Sequence, residues 1–357
     1  MQQILFANGT SALWASLKAL GCHDSYVAVP STICPSVICA IFASGNRPYF
    51  VDIERKRLGL DTTLLAKVLS QVKAVIAVHA MGIPCEINTI AALCKQANVP
   101  LIEDCCQSQG AEFEGKPVGQ FGDVAVYSYG AGKIIEAGGG GGAETANPEL
   151  AEKIANLANS LGAVDDEAVS DLGKFYKFFY NQLYPERLGY YRALFTGLLR
   201  DIAPKMLGRY PTHLDGVLSQ GFKDLTRNIQ NRKQKALLYS RCMANTEEVS
   251  ELPFQEGSSP WRYNIWLNFP ARQYVLKRML QEGIPVSSWS PDISQFMESD
   301  SYRSTSMKNS KWLSDGILNL WVNAETSEQQ ITQTCAKLTS LLSEYRQSNK
   351  AQRQANS

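Results

Sequence analysis

Asp104, Ser128 and Lys133 are the residues whose types and spacing in this chain could do chemistry together. An apolar stretch at 99–102 reads as a strand and delivers Glu103 and Asp104 at its end. A second strand at 123–127 leads to Ser128. Lys133 follows five residues later in Ser128-Tyr129-Gly130-Ala131-Gly132-Lys133, ahead of a glycine run at 138–142. An acid after one strand, with a serine and a lysine after another, suits pyridoxal 5′-phosphate (PLP). The lysine would hold the cofactor covalently, the acid would keep the ring nitrogen protonated, and the serine would bind phosphate.

Each feature also has a plainer reading. Asp104 alone could be a turn residue, although its apolar approach favours a partly buried acid that needs a cationic partner. Gly130-Ala131-Gly132-Lys133 resembles the end of a nucleotide-binding P-loop. That match fails, because Ile134 stands where Ser or Thr is required and Tyr127 where the first glycine belongs. The glycine run could be a flexible loop, but its uncharged lead-in suggests close packing beside a site.

The elements that must position these groups alternate through the first half of the chain. Strand signals at 4–7, 26–29, 48–51 and 74–78 alternate with helical periodicity at 36–43, 62–69 and 87–96. This order predicts an α/β fold with a mostly parallel sheet covered on both faces. Gly9-Thr10-Ser11 lies between the first strand and a helix carrying Leu13, Leu17 and Leu20 on one face, with Gly21 as its stop. Free N–H groups and hydroxyls there could bind phosphate, or Thr and Ser could simply cap the helix.

The character of the chain changes after residue 160. The expected organisation is a large domain over 1–214, a connecting helix over 215–243, a smaller α+β domain over 244–346 and a frayed polar tail over 347–357. In the smaller domain, 261–269 and 317–321 read as strands, and 271–282 and 327–344 as helices. An insertion at about 172–207 is rich in aromatics (Phe175, Tyr176, Phe178, Phe179, Tyr180, Tyr184, Tyr190, Tyr191, Phe195) and bases (Lys174, Lys177, Arg187, Arg192, Arg200). Rings in that number suit a contact surface. The favoured reading packs them on the protein itself, as a lid or an extension of a dimer interface. Peripheral membrane contact and a partner protein are the alternatives.

Composition excludes several classes. Among 357 residues, 45% are hydrophobic and 19% charged, and the net charge is +1. Nothing in that balance favours nucleic acid or an anionic membrane as partner. The sequence shows no secretory signal, so the nine cysteines read as reduced thiols of a cytoplasmic protein. Neither they nor His23, His79 and His213 have metal-ligand spacing, and no metal is expected.

In order and spacing, several of these segments are similar to the DegT/StrS-type PLP-dependent aminotransferases. Asn8-Gly9-Thr10-Ser11-Ala12-Leu13 resembles the family's first phosphate loop. Val29-Pro30-Ser31, Val51-Asp52-Ile53 and Val78-His79-Ala80-Met81-Gly82 fall where its strand ends fall. Residues 102–111, from Ile102-Glu103-Asp104 onward, resemble its acidic signature. Gly122-Asp123-Val124 and 128–133 match the approach to its lysine.

The resemblance implies the type I aminotransferase (aspartate aminotransferase-like) fold, a homodimer and a small-molecule amino donor. It implies as acceptor a keto or aldehyde compound, most often a nucleotide-linked keto-sugar of polysaccharide or secondary-metabolite biosynthesis. It makes Lys133 the Schiff-base lysine and proton shuttle, and Asp104 the partner of the ring nitrogen. Gln107 becomes the contact near the ring 3′-oxygen. Gly9, Thr10, Ser11 and Ser128 become the phosphate site, and Cys34 falls where an aromatic ring usually stacks on the cofactor.

Departures from the family pattern keep two other readings open: a PLP-dependent lyase or cyclase, and a non-catalytic regulatory homologue. Only seven residues precede Asn8, where members carry an arm of a few tens. Gly208-Arg209-Tyr210-Pro211-Thr212 aligns with the family's Gly-x-Asn-x-Arg segment, whose asparagine reaches the partner subunit's phosphate, and lacks both its asparagine and its arginine. Arg262, beside Trp261, is either a substrate-binding guanidinium for carboxylate or phosphate or a surface arginine.

Overall fold

The computed structural model describes residues 3–164, 166–179, 191–252 and 254–355. Short apolar runs form the main strands: β1 (Ile4–Phe6), β2 (Tyr26–Pro30), β3 (Arg47–Val51), β4 (Ala74–Val78) and β5 (Leu101–Asp104). A small hairpin follows, β6 (Glu112–Phe113) and β7 (Lys116–Pro117), then β8 (Val124–Ser128) and β9 (Gly141–Glu144). The later strands are β10 (Ser250–Glu251), β11 (Tyr263–Trp266), β12 (Val286–Ser287), β13 (Arg303–Ser304) and β14 (Ile317–Leu320).

Eight strands make one sheet in the order β1-β9-β8-β5-β4-β2-β3-β13. From β8 to β13 every neighbour is parallel, and β9 pairs antiparallel with both β1 and β8. β4 is buried at every position, as a parallel strand covered on both faces must be. A second, four-stranded antiparallel sheet runs β10-β11-β14-β12 and packs with its own apolar cluster around Ile265, Val275, Leu318 and Leu338. Arg303–Ser304, within the range expected for the smaller domain, instead extends the large sheet beside β3.

Helices start where the sequence offers caps. Asn8 caps Gly9–Ala19 by accepting from the Ser11 N–H, Asp61 does the same for Thr62–Val68, and Pro35 opens Pro35–Ala43. The helix Asp215–Met243 has the expected bounds. The expected fray at the C-terminus is corrected: Glu328–Ala355 is one continuous helix through most of the tail.

The described parts of the aromatic insertion pack on the protein itself. Helices Asp166–Phe178 and Arg192–Ile202 bring Phe175, Phe179 and Phe195 into one stack, closed by Phe296, and all four rings are buried. Of the bases, Lys174 pairs with Asp171, Arg192 donates to the Gln295 carbonyl, and Arg200 lies over the Phe42 ring. Tyr180, Tyr184, Arg187 and Tyr190 lie outside the described residues.

Successive residues of β5 face opposite sides of the sheet. Ile102 and Asp104 share a face with Val78 and Val126, whereas Glu103 points the other way into a fully buried nest. There Glu103 Oε1 accepts from the N–H groups of Phe121 and Gly122, and Oε2 from Gly119 N–H and His79 Nε2. The Cys85 N–H donates to His79 Nδ1, which fixes the tautomer with the ring hydrogen toward Glu103. His79, Glu103 and Cys105 converge with ligand atoms within 4.8 Å of one another. Hydrogen bonds already occupy both carboxylate oxygens and the free ring nitrogen.

Burial opposes the Glu103 charge, but His79 and the surrounding N–H groups outweigh it and hold the carboxyl below the usual glutamate range. A depressed folded value adds stability that is complete above the ordinary glutamate pKa of about 4.3 and is lost as pH falls through the lowered value. Glu103→Gln is therefore expected to cost about 1–3 kcal/mol at pH 7, with the gap to the parent narrowing in acid. Denaturant unfolding at neutral pH and at about pH 4 checks this; a gap independent of pH would contradict it.

Candidate active site

The carboxyl ends of β2, β4, β5 and β8 open onto a cavity of about 500 Å³. This edge is where open parallel sheets bind ligands. Its walls include Thr10, Cys34, Asp104, Gln107, Ser128 and Lys133, so six of the residues singled out from sequence line one space with Gly9. A second recess of about 670 Å³ lies near Leu20, Lys95 and Asp123. The Asp123 carboxylate there is taken up by the Leu101 N–H at 2.8 Å, and no comparable set of groups converges.

Gly9 needs its missing side chain. A Cβ there would sit 3.2 Å from Cys106 Sγ and from Ser128 Cβ. The glycine run, read as packing beside a site, is β9 and its approach. A Cβ on Gly141 would lie 2.3–2.5 Å from the Asn8 and Gly9 backbone, so this strand can press against the turn only as glycine. Gly9 and Thr10, at the start of helix Gly9–Ala19, thus line the cavity with Ser128.

The hydroxyls divide by partner. Those of Thr10 and Ser128 make no hydrogen bond among the described residues. Ser11 corrects the expectation of a phosphate ligand. It is fully buried, its N–H and hydroxyl both donate to Asn8 Oδ1, and its oxygen accepts from the Gly208 N–H at 3.0 Å. Ser11 locks the cap onto the 206–208 turn and is absent from the cavity wall.

Asp104 Oδ1 accepts from the Cys106 N–H at 3.0 Å, and its second oxygen takes no hydrogen bond among the described residues. The Cys106 thiol lies in the field of both key charges. Burial and Asp104 raise its pKa well above the ordinary value, against the opposing pull of Lys133. The Lys133 amine forms no ion pair or hydrogen bond with described residues. Gln107 Oε1 accepts from the Met81 N–H at 2.8 Å, which leaves the amide NH2 as its free donor.

Cys34 lies in the wall with its Sγ against Ser36 Oγ and Tyr176 OH. Arg262 is buried outside the cavity wall. Its guanidinium lies between Trp261 and Trp321, 4.6 and 4.3 Å from their rings, and burial lowers its pKa to about 10.

A sequence profile of the DegT/DnrJ/EryC1/StrS aminotransferase family matches residues 2–178 and 216–339. The chain belongs to this family. Among its relatives is the dTDP-4-dehydro-2,3,6-trideoxy-D-glucose 4-aminotransferase of Saccharopolyspora spinosa, 29% identical over 297 residues, 80% of this chain and 71% of that protein. The dTDP-3-amino-3,4,6-trideoxy-alpha-D-glucose transaminase of Micromonospora megalomicea subsp. nigra is 34% identical over 289 residues, 78% and 68% of the two chains. In fold, the chain is similar to the aminotransferase TlmJ from Streptoalloteichus hindustanus. The TM-score is 0.78 at 22% identity, covering 96% of this chain and 86% of that one. That likeness bears out the α/β fold expected from the resemblance.

Against the family pattern, the site also contains residues that sequence reasoning passed over. Trp261 and Trp289 form one wall, their ring centroids 6.1 Å apart. Tyr176 reaches the cavity from the aromatic insertion. Thr32 lines it with a hydroxyl that is buried and unpartnered. Short sequence motifs carry no sign of Trp261, Trp289 and Tyr176, because each arrives from a distant segment; the density of rings around Tyr176 was the one available signal for it, and Thr32 adjoins the Val29-Pro30-Ser31 strand end.

The division of hydroxyls predicts opposite phenotypes. Thr10→Ala and Ser128→Ala should each weaken PLP binding about tenfold, the loss of one hydrogen bond to a charged group. Ser11→Ala should leave that affinity unchanged and lower stability by about 1 kcal/mol, as a lost cap does. Absorbance titration of cofactor-free protein and thermal unfolding separate the two effects.

Proposed function

We propose that this family member is a PLP-dependent aminotransferase that moves an amino group from an amino-acid donor to a nucleotide-linked keto-sugar. The observation that carries the reading is one cavity holding an unpaired lysine amine, a carboxylate with a free oxygen, and the unpartnered hydroxyls of Thr10 at a helix start and Ser128 at the end of β8. The Gly9 cradle, the free hydroxyls and Asp104 fit the phosphate and the ring nitrogen of PLP. The named activities of the S. spinosa and M. megalomicea relatives support the sugar acceptor.

When bound, the cofactor supplies an electrophilic carbonyl and a ring that takes up an electron pair. Thr10, Ser128 and the first N–H groups of helix Gly9–Ala19 bind the phosphate. Asp104, itself buried, would hold a proton on the ring nitrogen and stabilise it by charge. The Gln107 NH2 orients the ring through its 3′-oxygen. Lys133 Nζ takes the proton from the α-carbon of the donor and later delivers one to the acceptor carbon. Trp261 and Trp289 offer an apolar wall for the acceptor ring.

A homodimer belongs to the same reading. Val217, Phe222 and Leu237 on helix Asp215–Met243 are exposed apolar residues that a second copy could cover. Among the described residues no helix is long and apolar enough to cross a membrane. A cytoplasmic location agrees with nine unpaired cysteines.

Borohydride treatment of the PLP-loaded protein should fix the cofactor on Lys133, read by peptide mass spectrometry, and Lys133→Ala should abolish turnover. Asp104→Asn should fold normally and lose turnover by about two orders of magnitude or more. Donor alone should change the cofactor absorbance, and a nucleotide-linked keto-sugar should restore it. Consumption of the amino acid without amino transfer would favour a lyase or cyclase instead.

A further inference from the structure

Lys133 sits on a turn rather than in a regular element, with Gly132 at φ +75° before it. Such a turn places an amine accurately only if something fixes its backbone. Three consecutive carbonyl oxygens of this turn are held from outside. Trp261 Nε1 donates to Gly132 O at 2.7 Å. Arg232 Nη2 donates to Lys133 O at 3.5 Å, and Asn228 Nδ2 to Ile134 O at 2.6 Å.

The three donors are themselves one network. Arg232 Nε donates to Asn228 Oδ1 at 2.9 Å, and Arg232 Nη1 to the Trp261 carbonyl at 3.1 Å. Arg232 is 3% exposed, and its guanidinium bonds run to carbonyls of the turn and of the Trp261 segment rather than to a carboxylate. Burial lowers its pKa to about 10, so it remains a cation at neutral pH. A buried charge aimed at backbone carbonyls orients them strongly.

The network also reaches the far side of the cavity. The Trp261 N–H donates to Met81 O at 3.3 Å, and the Ser259 N–H to Gly82 O at 2.9 Å. Met81 is a non-glycine residue at φ +59°, and it is the residue whose N–H binds Gln107. A Cβ on Gly82 would fall 1.8 Å from Ser259 O, so the 259–261 segment and the 80–82 segment are in direct backbone contact.

We propose that Trp261, Arg232 and Asn228 are positioning residues that set the Lys133 amine for proton transfer by fixing the carbonyls of its turn. The inference rests on the PLP reading of the site. The lysine must move between two carbon atoms without drifting, and a displacement of about 1 Å at a reacting group can cost about a hundredfold in rate. The 259–261 segment joins the Lys133 turn to the Met81–Gln107 contact, so the amine and the ring contact are held in one frame.

The test removes a single donor. Trp261→Phe keeps an aromatic wall and deletes the indole N–H; Asn228→Ala deletes the donor to Ile134 from outside the cavity. In the loaded enzyme each should lower kcat about tenfold with the donor KM changed by no more than about twofold. The isotope effect with α-deuterated glutamate should rise, because proton transfer becomes slower. The pH midpoint of the cofactor absorbance should shift. Parent values of kcat, isotope effect and midpoint in a soluble Trp261→Phe, or in Asn228→Ala if the first does not fold, would overturn the inference. So would a loss confined to KM. Borohydride labelling of Lys133 separates the two levels: unlabelled parent enzyme would overturn the cofactor reading and this inference together, whereas labelled enzyme with unaffected variants would overturn this inference alone.

Discussion

A charged carboxylate can stay in a protein interior only when donors surround it, and Glu103 meets that condition with four of them. Three come from the backbone of 119–122 and one from His79. That nest fixes the loop entering β8 and the segment leaving β4 against the end of β5. The next residue, Asp104, faces the other side of the same strand with one oxygen unspent. Strand alternation thus gives two adjacent acids opposite roles: one saturated and holding the sheet edge rigid, one left available to a ligand. The cavity depends on this rigidity, because its walls come from the ends of β2, β4, β5 and β8.

A second constraint is steric. β9 lies between β1 and β8 in register with both, and it can lie against the Asn8–Gly9 turn only because Gly141 has no side chain. The turn in turn has room for a bound anion only because Gly9 has none. The Asn8–Ser11 cap closes the arrangement by tying the helix start to Met206 and Gly208. Positions that look like simple flexibility in sequence are contacts of closest approach.

Much of this was legible from sequence where the signal is local. Apolar runs and caps gave the strands up to β5, the helix Asp215–Met243, and the ends bearing Asp104 and Ser128. What was not legible depends on distant partners. Ser11 is a good phosphate ligand by type, yet its hydroxyl is spent on Asn8 and the 206–208 turn, about 200 residues away in sequence. β9 reads as a loop because glycine has low strand propensity, and tertiary contact overrides it. The tail is polar enough to fray, but Leu338, Leu341 and Leu342 anchor the helix that it continues. Trp261 and Tyr176 enter the cavity from segments that no motif near Lys133 could indicate.

The antiparallel insertion of β9 and the return of β13 have a consequence for assembly during synthesis. β1 pairs with residues about 137 positions later, and β3 with residues about 254 positions later. Contacts so far apart in sequence form slowly, after the costly closure of long loops. The Asn8–Ser11 turn is made well before its cavity closes, because the wall is not complete until Trp261 and Trp289 have emerged. The nascent chain therefore carries β1 unpaired over about 137 positions and the β3 edge unpaired over about 254, and such exposed strands favour aggregation and chaperone capture.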